Sequence, residues 1–115
     1  MAVTRIVANL RAENPARIAD FYRRVFGLHL ALDMGWITFL EGDSQQKVEM
    51  HAASQGGNGT DVPVISIGVD DLEGCEEAIR AAGAEIVYGP VKEEWGLRRF
   101  FFRDPAGNLV NVVDS

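Results

Sequence analysis

Residue types with metal-binding or proton-transfer chemistry are few in this sequence, and the most suggestive pair is Glu49 and His51. The chain has 17 aspartates and glutamates but two histidines and one cysteine. Glu49 and His51 stand two apart in residues 47–53, where polar and apolar residues alternate as in a half-buried strand. They therefore share one strand face. A carboxylate and an imidazole could contribute there to a divalent metal site, or both could be polar residues at a cavity rim or on the surface.

The other reactive side chains stand apart from this pair. His29 follows the first predicted helix and is expected to face solvent or to be structural. Cys75 falls on the apolar stripe of the second predicted helix, where a thiol behaves as a small hydrophobe. Arg98, Arg99 and Arg103 form a local basic patch, which fits either a solvated strand face or a surface that attracts an anionic ligand.

Aromatic residues offer a different chemistry, which is contact with a planar ligand. Pockets for small molecules are usually walled by apolar and aromatic side chains with a few polar groups. Core packing explains the three consecutive phenylalanines better than ligand contact does. Trp95 precedes Gly96 at the mouth of a predicted hairpin, which favours it as a ligand contact. The aromatic candidates are Trp36, Tyr88, Trp95, Phe100, Phe101 and Phe102.

Length, charge and cysteine content narrow the class of protein. A chain of 115 residues with 47% hydrophobic residues is expected to form one domain with a buried core. Its net charge of −6 disfavours nucleic acid as a partner. One cysteine excludes an internal disulfide and fits a reducing compartment. No signal-like or membrane-spanning apolar run is present, so we expect a cytoplasmic protein that binds neither nucleic acid nor membrane.

The first predicted helix covers about residues 15–26. Asn14 is placed to cap it, Pro15 occupies the first helical position, and Gly27 is placed to end it. Its apolar residues recur at helical spacing. They form one stripe that should cover a sheet, composed of Ile18, Phe21, Tyr22, Val25 and Phe26.

The second predicted helix covers about residues 71–82. Asp70 or Asp71 caps it, and Gly83 ends it. Its apolar stripe is shorter than that of the first helix. The stripe consists of Leu72, Cys75, Ile79 and Ala82.

Each helix is preceded by one predicted strand and followed by three. Residues 54–60 have the composition of a flexible connection, and Gly89-Pro90 is expected to end the sixth strand. The element order βαβββ therefore occurs twice, in modules of about 2–53 and 62–115 with a linker at about 54–61, and this order predicts an α+β fold. The strands are predicted at 3–10, 28–33, 36–41, 47–53, 63–69, 85–88, 97–103 and 109–113.

Two motifs at opposite ends of the chain are similar to those of one family. The helix ends in Phe21-Tyr22-Arg23-Arg24-Val25-Phe26-Gly27-Leu28, and the last hairpin turns at Asp104-Pro105-Ala106-Gly107-Asn108. Together they resemble the vicinal-oxygen-chelate superfamily, the glyoxalase, bleomycin-resistance and extradiol-dioxygenase group. The resemblance implies two βαβββ modules that form an eight-strand, open, barrel-like cavity with two helices. A polar cavity lining explains the mixed faces of the predicted strands, and so does solvent exposure.

The resemblance also implies where a divalent metal ion would be held. The family's ligand positions, usually His, Glu or Gln, correspond to Val7, Glu49, Val64 and Asn111 here. Valine cannot bind a metal, and a neutral amide is a poor substitute for a carboxylate, so we expect no metal and no cofactor. Residues two positions away on the same strands point the same way. The expected ligand-binding residues are Asn9, Trp36, Glu49, His51, Ser66, Trp95 and Asn111.

Three functions remain open on the sequence alone. The first is a metal-independent binder of a small molecule, of the bleomycin-resistance kind. The second is a metal-dependent glyoxalase-like lyase or isomerase, or a dioxygenase, which the general resemblance favours and the ligand positions oppose. The third is a non-catalytic protein-interaction module. Exposed sheet edges, and the resemblance to proteins whose cavity a neighbouring subunit often completes, predict a homodimer with swapped or side-by-side modules.

Overall fold

The computed structural model describes the whole chain, residues 1–115, as eight strands and two helices. The order βαβββ occurs twice, so the α+β class predicted from the sequence is confirmed. Neither helix has the length and apolar character needed to cross a membrane. The elements are β1 (Val3–Arg11), α1 (Pro15–Phe26), β2 (His29–Asp33), β3 (Ile37–Glu41), β4 (Glu49–Ala53), β5 (Ile65–Val69), α2 (Leu72–Ala81), β6 (Glu85–Lys92), β7 (Arg98–Arg103) and β8 (Leu109–Asp114).

The chain separates into two compact units. The first, called the N-unit below, comprises Val7–Val62. The second, called the C-unit, comprises Pro63–Ser115 together with Met1–Ile6. Strand β1 therefore supplies residues to both units, which the order of elements along the sequence does not indicate.

The sheet of the N-unit has the strand order β2-β3-β4-β1. His51 in β4 lies between Asn9 of the parallel strand β1 and Phe39 of the antiparallel strand β3. Successive side chains of a strand point to opposite faces, so Thr38 is on the other face, where its buried hydroxyl donates to the carbonyl of Pro15 in α1. Helix α1 therefore covers one face of this sheet. The face with Asn9, Phe39 and His51 is called the helix-free face of the N-unit.

Both ends of α1 are where the sequence predicts them. The side-chain oxygen of Asn14 accepts a hydrogen bond from the amide of Arg17 over 3.2 Å, which satisfies one of the unpaired amides of the first turn. Gly27 ends the helix at φ 70°, a left-handed conformation that favours glycine.

The prediction that the apolar stripe of α1 packs on the sheet is wrong for most of its members. Phe21, Val25 and Phe26 remain 46%, 56% and 66% exposed, and the buried residues of the helix are Pro15 and Ala19. Small residues let the helix approach the sheet closely along that side. The large side chains on the adjacent side contact one another instead, with Tyr22 at 5.2 Å from Phe21 and 5.8 Å from Phe26 between ring centroids.

The sheet of the C-unit has the strand order β5-β8-β7-β6. Helix α2 is capped by Asp71, whose carboxylate accepts from the amide of Gly74. The helix packs on one face of the sheet, where its Leu72 and Cys75 form a buried cluster with Val69, Phe100 and Val112. The opposite face is the helix-free face of the C-unit. On it four residues are neighbours across four strands, namely Ser66, Asn111, Phe101 and Tyr88.

Strand β6 corrects the predicted break at Gly89-Pro90. The strand continues to Lys92 through a cis Gly89-Pro90 bond, and its register against β7 shifts twice, between Ile86 and Tyr88 and again between Tyr88 and Val91. Each shift adds one residue to β6 without a partner in β7. A side chain at Gly89, which has φ 75°, would place its Cβ 2.7 Å from the carbonyl oxygen of Arg99. The glycine and proline therefore form a bulge inside the strand and do not end it.

Residues 54–60 also differ from the prediction of a flexible connection. The amide of Gly56 donates to the carbonyl of Thr60 over 2.7 Å, and the hydroxyl of Thr60 donates to the carbonyl of Gly57 over 2.6 Å. The amide of Gly59 donates to the side chain of Gln55 over 2.8 Å. Glycine-rich composition here supplies positive φ angles, at Gly57 and Gly59, for a compact hydrogen-bonded loop.

The turn between β7 and β8 is held together by the side chain of Asp104. The carboxylate of Asp104 accepts hydrogen bonds from the amides of Ala106 and Asn108 and from the side-chain amide of Asn108, each over 2.9 Å. Gly107 takes φ 85°. These donors, with the side chain of Asn108 contributing most, lower the pKa of Asp104.

Candidate functional site

The helix-free face of the N-unit brings together two of the predicted ligand-binding residues. Nδ1 of His51 lies 2.9 Å from Oδ1 of Asn9, and both side chains are buried. An amide oxygen can only accept, so this hydrogen bond forms when Nδ1 of His51 carries a proton. The imidazole also stacks on Phe39, with 4.2 Å between ring centroids. The orientation of His51 is therefore fixed by a hydrogen bond on one side and an aromatic ring on the other.

Glu49 and Trp36 occupy the ends of neighbouring strands in the same unit. Glu49 is two residues before His51 on β4 and shares its face, as predicted. Its side chain is 13% exposed and lies 3.4 Å from the ammonium of the exposed Lys47. Trp36 stands in the turn between β2 and β3, where its carbonyl accepts from the amide of Ser54, and it is half-buried.

The helix-free face of the C-unit brings together two further predicted residues. Nδ2 of Asn111 donates to Oγ of Ser66 on the adjacent parallel strand over 2.9 Å. Both residues are buried, with 8% and 7% of their surface exposed. Oδ1 of Asn111 is buried as well and has no hydrogen-bond donor. This acceptor faces the same side as Phe101, the neighbour of Asn111 on β7.

Next to Phe101 lies a cluster of side chains around Arg99, which is not predicted from the sequence. Nε of Arg99 donates to Oε2 of Glu93 over 2.7 Å, and Nη2 also contacts that oxygen. The hydroxyl of Tyr88 is 3.0 and 3.1 Å from the two carboxylate oxygens of Glu93. The guanidinium carbon lies 4.7 Å from the ring centroid of Phe101, 5.1 Å from Trp95 and 5.4 Å from Tyr88. A buried ion pair and three aromatic rings therefore form one contact network.

Trp95 reaches this network from the turn between β6 and β7. The turn is closed by hydrogen bonds from the amide of Glu93 to the carbonyl of Leu97 (2.7 Å) and from the amide of Gly96 to the carbonyl of Glu93 (2.9 Å). Gly96 takes φ 97°. The indole lies over Arg99, which is two residues from Phe101 and shares its face. Trp95 is thereby placed over the helix-free face of the C-unit.

The predicted basic patch of Arg98, Arg99 and Arg103 is not one surface. Arg98 and Arg99 point to opposite faces. Arg98 pairs with Glu73 of α2 and lies 3.6 Å from Asp114. The hydrogen bond from Arg98 is the main cause that lowers the pKa of Glu73. Arg103 is bonded to the carbonyl of Gly107. The three arginines have separate partners and do not form one anion-attracting surface.

The remaining reactive residues have structural surroundings. Cys75 is buried in the core, as predicted, and burial followed by the charge of Asp71 raises the pKa of its thiol. His29 is half exposed and lies 3.1 Å from the carboxylate of Asp43.

The same arrangement of side chains occurs in both units. In the N-unit a polar residue of the first strand is bonded to a polar residue of the last strand, which neighbours a phenylalanine: Asn9, His51, Phe39. In the C-unit the corresponding residues are Ser66, Asn111 and Phe101. A tryptophan stands in the corresponding turn of each unit, Trp36 and Trp95. The convergence of the two sets on one cavity stays a prediction.

The residues at the family's metal positions do not fit a metal ion. Val7 is buried with 1% exposure and Val64 is half exposed, and neither has a donor atom. Within neither unit do three His, Cys, Asp or Glu side chains converge as a metal site requires. Glu49 and Asn111 contribute one carboxylate and one amide, and these belong to different units.

Solved structures with the same fold cover almost the whole chain. The NAD-dependent benzaldehyde dehydrogenase structure from Legionella pneumophila aligns with a TM-score of 0.74 at 12% identity, over 96% of this chain and 98% of that one. A Streptomyces coelicolor methylmalonyl-CoA epimerase variant in complex with 2-nitronate-propionyl-CoA aligns with a TM-score of 0.70 at 20% identity, over 99% of each chain. The methylmalonyl-CoA epimerase from Mycobacterium tuberculosis gives 0.69 at 17% identity, over 97% and 88%.

The sequence comparisons give the family. No curated protein sequence matches the chain. The model of the Glyoxalase/Bleomycin resistance protein/Dioxygenase superfamily matches residues 4–112, which include the N-unit, most of the C-unit and both motifs quoted above. The two βαβββ units are the fold expected of that group, and the chain belongs to the glyoxalase/bleomycin resistance protein/dioxygenase superfamily.

Proposed function

We propose that the protein binds a small organic molecule on the helix-free faces of its sheets, without a metal ion held by its side chains. The observation that carries this proposal is Oδ1 of Asn111, a buried acceptor without a donor. An unpaired buried polar atom costs about 1–3 kcal/mol. A ligand N–H or O–H that reaches Asn111 would recover this free energy on binding.

The surroundings of Asn111 indicate the kind of ligand. Phe101, Tyr88 and Trp95 supply aromatic surface, and Ser66 supplies a hydroxyl, which is the usual composition of a small-molecule site. Glu93 and Arg99 neutralise each other. We therefore propose a planar ligand with a hydrogen-bond donor. The residues assigned to ligand binding are Asn9, Trp36, Glu49, His51, Ser66, Trp95 and Asn111.

Family membership supports a small-molecule ligand. One solved relative, the Streptomyces coelicolor epimerase, is held in complex with 2-nitronate-propionyl-CoA. Acyl-CoA derivatives therefore belong among the compounds to be tested, although the identity to this relative is 20% and gives the fold alone.

Metal independence rests on Val7 and Val64, because valine at two of the four family positions removes two ligands. The second candidate function is a metal-dependent lyase, isomerase or dioxygenase, favoured by one observation: Glu49 and His51 share a face and stand two residues apart. Elemental analysis of protein purified without chelators separates the two. Stoichiometric metal that is lost on changing Glu49→Gln would establish the second candidate and overturn the first.

The binding proposal is tested with matched pairs of planar compounds. Each pair consists of an amide or phenol with a free N–H or O–H and its methylated counterpart, screened by thermal shift. We expect the donor-bearing member to bind more tightly, and Asn111→Leu to abolish that difference. Glu77→Gln, on the exposed side of α2, is the control and should bind like the wild type. Equal binding of both members, or a preference that survives Asn111→Leu, would place the ligand elsewhere.

We also propose that the protein is a homodimer. The supporting observation is the exposed apolar surface of α1, formed by Phe21, Val25 and Phe26, with Leu30 of the edge strand β2 on the same side of the sheet. Apolar patches of this kind commonly mark association surfaces.

A further inference from the structure

The turn between β6 and β7 comprises residues 93–97. Its backbone hydrogen bonds are internal, from Glu93 to Leu97 and from Gly96 to Glu93. Leu97 is 43% exposed and Gly96 has no side chain, so neither anchors the turn. The turn residues that reach the sheet are Glu93, whose side chain is 1% exposed, and Trp95. Both meet the same group, the guanidinium of Arg99.

We propose that Arg99 and Glu93 are positioning residues that hold the indole of Trp95 over the helix-free face of the C-unit. This inference rests on the proposed function, because an indole held at Arg99, on the same face as Asn111, would serve as a preformed wall of the ligand site. Arg99 holds the turn in two ways. Its N–H groups bind the carboxylate of Glu93, and its cationic plane attracts the indole face, as guanidinium groups do with aromatic rings.

Arg99 is itself held on all sides. Its side chain is 6% exposed, and Phe101 and Tyr88 lie 4.7 and 5.4 Å from its guanidinium carbon. Tyr88 also binds the carboxylate that Arg99 binds, which fixes the position of Glu93 from a second side. A planar guanidinium fits this geometry and an ammonium does not, because only the guanidinium can stack on rings while it donates in its plane.

Phe101 connects the network to the proposed site. It contacts Arg99 and is the cross-strand neighbour of Asn111, whose Oδ1 is the buried acceptor. The indole of Trp95 therefore lies next to the row that contains the acceptor. Loss of Arg99 would release the indole while it left Asn111 and Ser66 bonded to each other.

The test uses the full chain without ligand, labelled with 5-fluorotryptophan. Fluorine NMR then gives one resonance for Trp95 and one for Trp36, which is the internal control. The resonances are assigned with Trp36→Phe. In Arg99→Met and in Glu93→Gln, we expect the Trp95 resonance to move toward its position in the unfolded chain and the Trp36 resonance to stay in place. The matched control is Arg98→Met, the same change one residue away on the opposite face, which should move neither.

Chemical rescue distinguishes positioning from general destabilisation. In Arg99→Ala, ethylguanidinium at concentrations far below those that unfold proteins should return the Trp95 resonance toward its wild-type position. Sodium chloride at the same concentration should not. Should Arg99→Met fail to fold, Glu93→Gln and the rescue of Arg99→Ala are read in its place. An unmoved Trp95 resonance in the folded variants, or no response to ethylguanidinium, overturns the inference. Because no ligand is present, either result is independent of the binding proposal.

Discussion

Asn111 donates to Ser66 across two parallel strands with one end of its side-chain amide and leaves the other end, Oδ1, buried without a donor. The two residues lie side by side on the helix-free face of the C-unit. An arrangement in which half of an amide is paired and half is not costs stability in the free protein. The proposed ligand binding rests on this unpaired acceptor.

The loss of stability caused by the unpaired Oδ1 of Asn111 can be measured with a double-mutant cycle of Ser66 and Asn111. Ser66→Ala leaves both ends of the Asn111 amide unpaired and should lower the free energy of unfolding by about 1–3 kcal/mol. Asn111→Leu keeps the number of side-chain heavy atoms and removes both polar atoms of the amide, including the unpaired acceptor, so it should cost less than Ser66→Ala. Ser66→Ala should cost much less in the Asn111→Leu background. Urea unfolding measures all four proteins, and additive effects would show that the two side chains are not coupled.

For the buried ion pair of Arg99 and Glu93, we expect the double variant to be more stable than the variant that lacks Arg99 alone. Arg99→Met leaves the carboxylate of Glu93 buried and uncompensated, and it should lower the free energy of unfolding by about 3–5 kcal/mol. Adding Glu93→Met removes that charge, so the double variant should recover much of the loss. Arg98→Met, whose pair with Glu73 is exposed to solvent, should cost much less than Arg99→Met. A double variant as unstable as Arg99→Met alone would contradict the uncompensated charge as the cause.

Acid should weaken the turn between β7 and β8. The pKa of Asp104 is lower in the folded chain than its ordinary value, because the carboxylate accepts from the side chain and amide of Asn108 and from the amide of Ala106. Its contribution to stability is therefore present above the ordinary aspartate range and lost as the pH falls through the folded pKa. Asp104→Asn should be less stable than the wild type at about pH 7 and nearly equal to it at about pH 2. A difference that is the same at both pH values would contradict this linkage.

Cys75 should be unreactive while the protein is folded. Burial and the nearby charge of Asp71 raise the pKa of its thiol, so less thiolate is present at a given pH. Alkylation by iodoacetamide at about pH 8 should be at least tenfold slower than for a free cysteine. The rate should rise in urea together with the unfolding signal. Fast alkylation under native conditions would mean that the helix α2 opens locally.

The proposed homodimer should depend on the exposed apolar surface of α1. Val25→Ser combined with Phe26→Ser should shift sedimentation toward the monomer with little loss of monomer stability, because both side chains are largely exposed in the single chain. Val87→Ser, an exposed apolar residue of the C-unit, is the matched control. A monomeric wild-type protein at micromolar concentration would count against the proposed dimer.

Element order and helix ends could be predicted from the sequence because their signals are local. Asn14, Pro15, Gly27 and Asp71 act within one helical turn, and each is found in its predicted role. The packing side of α1 could not be predicted in this way. Phe21, Val25 and Phe26 have the spacing of a buried stripe, yet the sheet contacts the neighbouring side with Pro15 and Ala19. The spacing of apolar residues predicts which side chains share a stripe of the helix. It does not predict which side of the helix packs on the sheet.

Some contacts of the candidate site also follow from local signals in the sequence, and others do not. The pairs Asn9 with His51 and Ser66 with Asn111 share faces by strand parity, which the sequence shows once the strands are placed. The ion pair of Glu93 and Arg99 is not predicted from the sequence, because Gly89-Pro90 indicates the end of a strand. Strand β6 in fact continues past it to Lys92. The one available signal was the aromatic residues on both sides of Arg99 in the sequence, and it also fits plain core packing.

Strand β6 shows that the face on which a side chain appears can be set by residue count as well as by residue type. Without extra residues, Tyr88 would share the face of Ile86 and point toward α2. The first register shift turns it to the opposite face, and the second carries Val91, and with it Glu93, to that face too. One residue more or fewer between Tyr88 and Glu93 would send the carboxylate to the wrong side of the sheet. Among relatives of this chain, the length of this segment should therefore vary together with the residue opposite Glu93, so that insertions here coincide with loss of arginine at the position of Arg99.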